Sequence, residues 1–444
     1  MAAKGSADSA ALVRAVRSAA HRLDGGDHDW DPLLDRIGDA RLVLLGEATH
    51  GTHEFYRARA EITRRLIEER GFSAVTIEGD WPDARRVDRF VRGLGADGAA
   101  SEALAGFRRF PAWMWRNADV LDFVGWLREH NGAHPERQAG FCGIDLYSLH
   151  TSIESVIEYL EEVDPDAARR ARARYSCFEM FGEAGAYGLA TSAGLADPCE
   201  QPVLAQLVEL QRRYRDEASR DGDDVFDAAQ NARLVLGAER YYREMYRGSV
   251  ASWNLRDTHM METLDAVLSH LGRRNERPRV VVWAHNSHLG DARATSMGDM
   301  GELNLGQLVR ERHGDEAVLV GFTTHTGTVT AASDWGAPAE RKRVRPALPG
   351  SIEEAFHAAG IPRFLLLLRG PGAPLDELRE RRLERAIGVV YLPESERRSH
   401  YFHAALAEQF DAVIHIDETR GVEPLERTSL WDAGEPPETY PVAV

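Results

Sequence analysis

The chain has 444 residues, 43% of them hydrophobic, which is enough for a large core and, by length, for two or three domains or one domain with an insertion. Basic residues number 54 and acidic residues 71, a net charge of −17, and a field of that sign disfavours nucleic acid and anionic membranes as partners. Three cysteines (Cys142, Cys177, Cys199) with no Cys-x-x-Cys argue against a disulfide framework and a zinc knuckle; with no signal-like or membrane-length apolar run, they predict a soluble, cytoplasmic protein.

In chain order, residues 9–23 have the pattern of an amphipathic helix. From 41 to 145, short apolar runs alternate with helical periodicity: Leu42-Val43-Leu44-Leu45, Ala74-Val75-Thr76-Ile77 and Phe141-Cys142-Gly143-Ile144. Runs this short, bounded by Gly or Pro, read as buried parallel strands. The segment 151–272 changes to Ala, Arg and Glu with long helical periodicity and a Gly-containing break at 182–202. Strands return at 280–284, 317–323, 327–332, 363–368, 387–392 and 412–416, with turns at Pro346–Gly350 and Gly370–Pro374. The pattern predicts an α/β fold, a central largely parallel sheet flanked by helices. Its halves are 1–150 and 276–444, and a helical insertion at 151–275 forms a second lobe or lid.

Four of the predicted strands end on polar, ionisable residues. Leu42–Leu45 runs into Glu47 and His50, Ala74–Ile77 into Glu78, Phe141–Ile144 into Asp145, and Val280–Trp283 into His285 and His288. Ligands of parallel sheets bind outside the carboxyl ends of the strands, so these side chains are expected in one cleft. On the helix after His50, Arg59 shares a stripe with Phe55, Ile62 and Leu66 and should pack inward, where a guanidinium needs a carboxylate; Glu47 and Glu78 are in reach. That pair is either architectural or part of a site. His50 is a capping histidine or a general base, and Glu78 is the partner of Arg59, the orienter of His50 or an activator of water. His285 and His288, three apart, suit metal ligation or hydrogen bonds to an oxyanion. Gly93–Gly98 fits a dinucleotide pattern but comes after a helix, so it is a loop, and no G-x-S-x-G elbow or P-loop occurs. Of Trp113 and Trp115, at least one is expected to be plain core.

The block Gly46-Glu47-Ala48-Thr49-His50-Gly51-Thr52-His53-Glu54-Phe55, with Arg59 and Ile77-Glu78, resembles the erythromycin esterase family. So do Ser252–Asp257, Trp283–Asp291, Glu302–Gln307 and Ser399–Phe402, and the resemblance runs over roughly residues 30–430. It implies an α/β core with helical additions and hydrolysis of a macrolide lactone by activated water, with no covalent acyl-enzyme. His50 matches the general base, and Glu47, Arg59, Glu78, His285 and His288 match the other active-site positions. The family's antibiotic-resistance enzymes are described as metal-independent; more distant relatives with a glutamate–histidine pair at the first strand end are metal-dependent proteases. The chain resembles the broad branch of the family more than the true resistance esterases, so site and reaction transfer better than substrate.

The expectation is therefore an esterase or lactonase acting on a small-molecule ester, without a cofactor. His50, held by Glu47 or Glu78, deprotonates water. Arg59, with His285 or His288, stabilises the oxyanion or protonates the leaving alkoxide. Asp145, Trp115, Tyr241, Tyr242, Trp253 and Arg256 are expected to contact substrate. Two other readings stay open: a hydrolase whose divalent metal is held by His285, His288 and a glutamate, and a binding protein that has lost catalysis. The oligomeric state is not legible.

Overall fold

Leu42–Leu45 shows why such a run becomes a strand. Its side chains point alternately to opposite faces. Val43 and Leu45 join Val75, Ile77, Val281 and Trp283 in one apolar layer, while Leu42 and Leu44 join Ala74, Val280 and Val282 in the other. A strand covered on both faces needs apolar residues at every position, and all four are fully buried.

A computed structural model describes residues 2–216, 222–369 and 376–434. Its strands are β1 (His21–Arg22), β2 (Leu42–Leu45), β3 (Ala74–Asp80), β4 (Gly140–Asp145), β5 (Val280–Trp283), β6 (Ala317–Thr323), β7 (Thr326–Ala331), β8 (Glu340–Val344), β9 (Arg363–Leu367), β10 (Arg382–Arg385), β11 (Tyr401–Ala404), β12 (Ala412–Ile416) and β13 (Glu418–Thr419). Eight form one sheet in the order β1-β9-β12-β6-β2-β5-β3-β4. All neighbours pair in parallel except around β9, which runs antiparallel to β1 and β12. The expected α/β architecture with a largely parallel sheet is therefore present. β2, β5, β3 and β4 lie side by side, so their carboxyl ends form one continuous rim.

Between β4 and β5 the described residues hold six α-helices, from Leu149–Val163 to Ser249–Leu271, and no strand. They have an apolar core of their own around Leu160, Tyr187, Leu210 and Val235. Among the described residues, no helix is long and apolar enough to cross a membrane.

Several local expectations need correction. The first helix is Ala2–Ala19 and stops because His21 and Arg22 pair with β9. Residues 184–192, inside the expected break, are helical. Cys177 and Cys199 are joined by a disulfide that closes this part of the helical segment, so a sparse cysteine count did not exclude a single bridge. Residues 387–392 are not a strand. They touch the core through isolated bridges, Thr49 to Ile387 and Ala332 to Val390, and Ile387 N donates to Ala48 O at 2.8 Å. The strands of this half that the apolar pattern did not show are β8 and β10, concealed by their charged side chains, and the short β11. The turn expected at Gly370–Pro374 lies outside the described residues.

The loop after β2 is threaded tightly between backbones. Gly51 O accepts from Thr330 N at 3.0 Å and from Val422 N at 2.9 Å, and a Cβ on Gly51 would overlap the Thr330 carbonyl. Replacing Gly51 by alanine is therefore expected to cost about 1–3 kcal/mol, the range for overpacking, and to displace the neighbouring His50. A thermal melt and an activity assay of Gly51→Ala check this.

Candidate active site

At the end of β2, Gly46 lets the chain pass against Asn286 and the Val320 carbonyl. Glu47 then turns inward and is fully buried. Its Oε1 lies 2.9 Å from His50 Nδ1, and its Oε2 lies 2.7 Å from Arg59 Nη2. The Arg59 guanidinium is also fully buried, 4.3 Å from the Tyr56 ring and 5.1 Å from the Trp283 ring. The inward face expected for Arg59 is thus observed, and Glu47 rather than Glu78 is its partner. Tyr56 donates to the His50 carbonyl at 2.9 Å, fixing the turn that carries the imidazole.

Glu78, at the end of β3, sits among the histidines. Its Oε2 accepts from His285 N at 2.8 Å and its Oε1 accepts from Arg256 Nη2 at 2.8 Å. Oε1 is also 3.4 Å from His288 Nε2 and 3.9 Å from His50 Nε2. Burial opposes its charge, but His288, His50 and Arg256 prevail and hold the Glu78 carboxyl well below the usual range. Glu47 therefore orients His50 through Nδ1, while Glu78 lies beyond hydrogen-bonding distance of its other nitrogen.

The two histidines after β5 differ electrically. His285 Nδ1 accepts from Ser287 Oγ at 2.8 Å and from Ser287 N at 3.2 Å, so the neutral ring carries its proton on Nε2. Burial first, then the neighbouring His50, pushes its pKa down to about 3. The buried Nε2–H has no well-formed hydrogen bond, although the Ala48 carbonyl lies near enough to favour it. The rings of His50 and His285 are 4.8 Å apart. His288 places Nδ1 2.9 Å from both Asp257 oxygens. Burial opposes its charge, yet Asp257 and then Glu78 raise its pKa to about 9, even with Arg256 Nη1 3.0 Å from Nε2.

The remaining expected residues divide into two groups. Asp145, Trp115, Trp253 and Arg256 line a cleft of about 590 Å³ with His50, Glu78, His285 and His288. Arg256 spends its donors on the protein, binding Asp145 through Nε and Nη2 at 2.9 and 2.6 Å as well as Glu78. Trp115 donates to the Glu78 carbonyl at 3.1 Å, and Trp113 packs in the core. Arg59, Glu47, Tyr241 and Tyr242 do not line the cleft. Arg59 stands behind Glu47 and cannot reach an oxyanion. Tyr241 and Tyr242 instead buttress Tyr147, which does line the cleft. Asp257, Tyr147 and the Asp80–Arg109 pair (3.0 Å) were missed. Asp257 had a legible signal, because Trp253, Arg256 and Asp257 fall on one helix face.

Among the described residues, no three His, Cys, Asp or Glu side chains are grouped to hold a metal ion. The donor set expected for one does not present itself, since Asp257 occupies His288 Nδ1 and Arg256 faces its Nε2.

A family model described as "Erythromycin esterase" matches residues 67–419. The chain is 22% identical over 417 residues to erythromycin esterase type II from Escherichia coli, covering 89% of this chain and 94% of that protein. A crystal structure of a succinoglycan biosynthesis protein superposes with a TM-score of 0.75 at 21% identity, covering 93% of this chain and 98% of the other. A mutant of the erythromycin esterase EreC in its open conformation superposes with a TM-score of 0.62 at 19% identity, covering 90% and 95%.

The Glu47–Arg59 pair has a direct test. Arg59→Leu leaves a buried carboxylate without its counter-charge, a change expected to cost about 3–5 kcal/mol of stability. Urea unfolding measures it, and a variant as stable as the parent would show that Glu47 does not depend on Arg59.

Proposed function

The chain belongs to the erythromycin esterase family, a family of hydrolases, and from that membership and the geometry of the cleft we propose that it cleaves an ester or lactone with a water molecule activated at His50. The observation that carries this reading is the buried series Arg59–Glu47–His50, with contacts of 2.7 and 2.9 Å. With Nδ1–H given to Glu47, the ring presents the Nε2 lone pair to the cleft. Glu47 then stabilises the imidazolium that forms when Nε2 takes a proton from water, and Arg59 balances the Glu47 charge.

The other groups have complementary tasks. Attack on the carbonyl puts charge on its oxygen, and His285, already neutral and 4.8 Å from the His50 ring, is the donor for it once its Nε2–H turns from the Ala48 carbonyl into the cleft. His288 is protonated at neutral pH and is the acid for the leaving alkoxide. Glu78, Arg256 and Asp145 fix the field between the rings. Ser287 Oγ lies 2.8 Å from His285 Nδ1, the spacing of a nucleophile and its base. An imidazole with a pKa near 3 is too weak a base to activate a serine, which favours direct attack by water over an acyl-enzyme. The size of the cleft and the apolar side chains Phe110, Met297 and Trp335 around it suit a bulky natural-product ester, macrolide-like substrates included.

His50→Ala is expected to lower turnover of a lactone or aryl ester by ~10²-fold or more while leaving the fold intact, as for loss of a general base. An active, folded variant would end the proposal. The pH profile gives an independent check. His288 acts protonated and has a pKa of about 9, so kcat should fall as pH rises through about 9. The donor role of His285 persists in acid, because that ring stays neutral down to about 3. Stopped-time assays across the alkaline range measure the first effect.

A further inference from the structure

One turn of the helix Ser249–Leu271 holds the His288 imidazole on three sides. Trp253, Arg256 and Asp257, at spacings of three and four, share a helix face. The Trp253 ring stacks on His288 with centroids 4.5 Å apart and planes 10° from parallel. Arg256 Nη1 is 3.0 Å from Nε2. Both Asp257 oxygens are 2.9 Å from Nδ1. Asp257 is fully buried, and its hydrogen-bond partners are the His288 ring and Leu305 N, which donates to Oδ1 at 2.8 Å. A carboxylate this deep must be satisfied by strong donors, and His288 is the charged one it meets.

We propose that Asp257 is a positioning residue of the hydrolytic centre: it binds the Nδ1–H of His288 and thereby turns Nε2 toward Glu78 and the cleft. The inference rests on the hydrolytic reading of this site. An imidazole has two tautomers and two ring orientations, and a carboxylate on one nitrogen selects a single arrangement. Leu305 N fixes one oxygen of the carboxylate, and the stacked Trp253 ring covers one face of the imidazole. Nδ1 then keeps its proton whether or not the ring is charged, so every proton exchanged with substrate passes through Nε2. The charged groups facing the ring are Asp257 and Arg256 from the helix, Glu78 from β3, Asp145 from β4 through Arg256, and the His50 ring beyond Glu78.

Asp257→Asn tests this. The Asn carbonyl still accepts from Leu305 N, but its NH₂ meets Nδ1 and forces the neutral ring to carry its proton on Nε2. The expected result is a kcat roughly 10²-fold or more lower, as when an orienting carboxylate beside a catalytic histidine is made an amide. KM should change little, and the alkaline limb of the pH profile should move to lower pH. A residue with only a structural role would lower the melting temperature and move neither kcat nor that limb, and such a result would overturn the proposal. Nitrogen-15 NMR of the histidines in the parent protein gives a second readout that needs no variant. The His288 Nδ1–H should persist from pH 6 to 10 while Nε2 titrates, and titration of Nδ1 instead would equally overturn it. His50→Ala separates the two levels. If that variant keeps full turnover, the hydrolytic reading falls; if it is inactive and Asp257→Asn is not, only the role of Asp257 falls.

Discussion

A carboxylate at the end of a central strand is tolerable only if a counter-charge is buried with it. Glu47 lies just past β2, in the middle of an eight-stranded sheet, where no solvent reaches it. Arg59 answers it from the helix His53–Arg70, at 2.7 Å and wedged between two aromatic rings. The pair couples helix to sheet and engages one Glu47 oxygen, leaving the other for His50. The orientation of the His50 ring is thus a consequence of charge compensation in the core. Breaking either half would unsettle the fold and the site together, which is why stability and activity must both be measured when these residues are changed.

Three histidines within one cleft are held in three different environments by their neighbours. His50 leans on a carboxylate that is itself paired. His285 leans on a serine hydroxyl and a backbone amide in a dry setting that disfavours charge. His288 lies between two carboxylates that favour charge. The pKa values of His285 and His288 are pushed in opposite directions, so two imidazoles three residues apart differ in charge at the same pH. Glu78 is common to the three, touching the backbone of one and lying within 4 Å of the rings of the other two.

The helical segment between β4 and β5 does more than border this arrangement. One face of its last helix supplies Trp253, Arg256 and Asp257, so one of the two carboxylates that favour charge on His288, and the guanidinium that compensates Glu78 and Asp145, come from outside the sheet. The aromatic residues expected to touch substrate from this segment divide accordingly. Trp253 reaches the cleft, whereas Tyr241 and Tyr242 support Tyr147 one layer behind.

The sheet and its chemical rim were legible in the order of residues alone. Continuous aliphatic runs can be satisfied only by burial on both faces, and parallel strands bring the residues at their carboxyl ends to one edge. Glu47, His50, Glu78, Asp145, His285 and His288 were therefore identifiable as neighbours in advance. The inward face of Arg59 came from helical periodicity for the same reason. Pairing belonged to the assembled fold, because charges choose partners by distance and direction, and neither is written in the order of residues. Only there did Arg59 turn out to serve Glu47 from behind the cleft and Arg256 to brace carboxylates. Only there did Asp257 meet His288, and Cys177 meet Cys199. The charged strands β8 and β10 were hidden for a related reason: their side chains find partners in the tertiary structure, and a local pattern carries no trace of them.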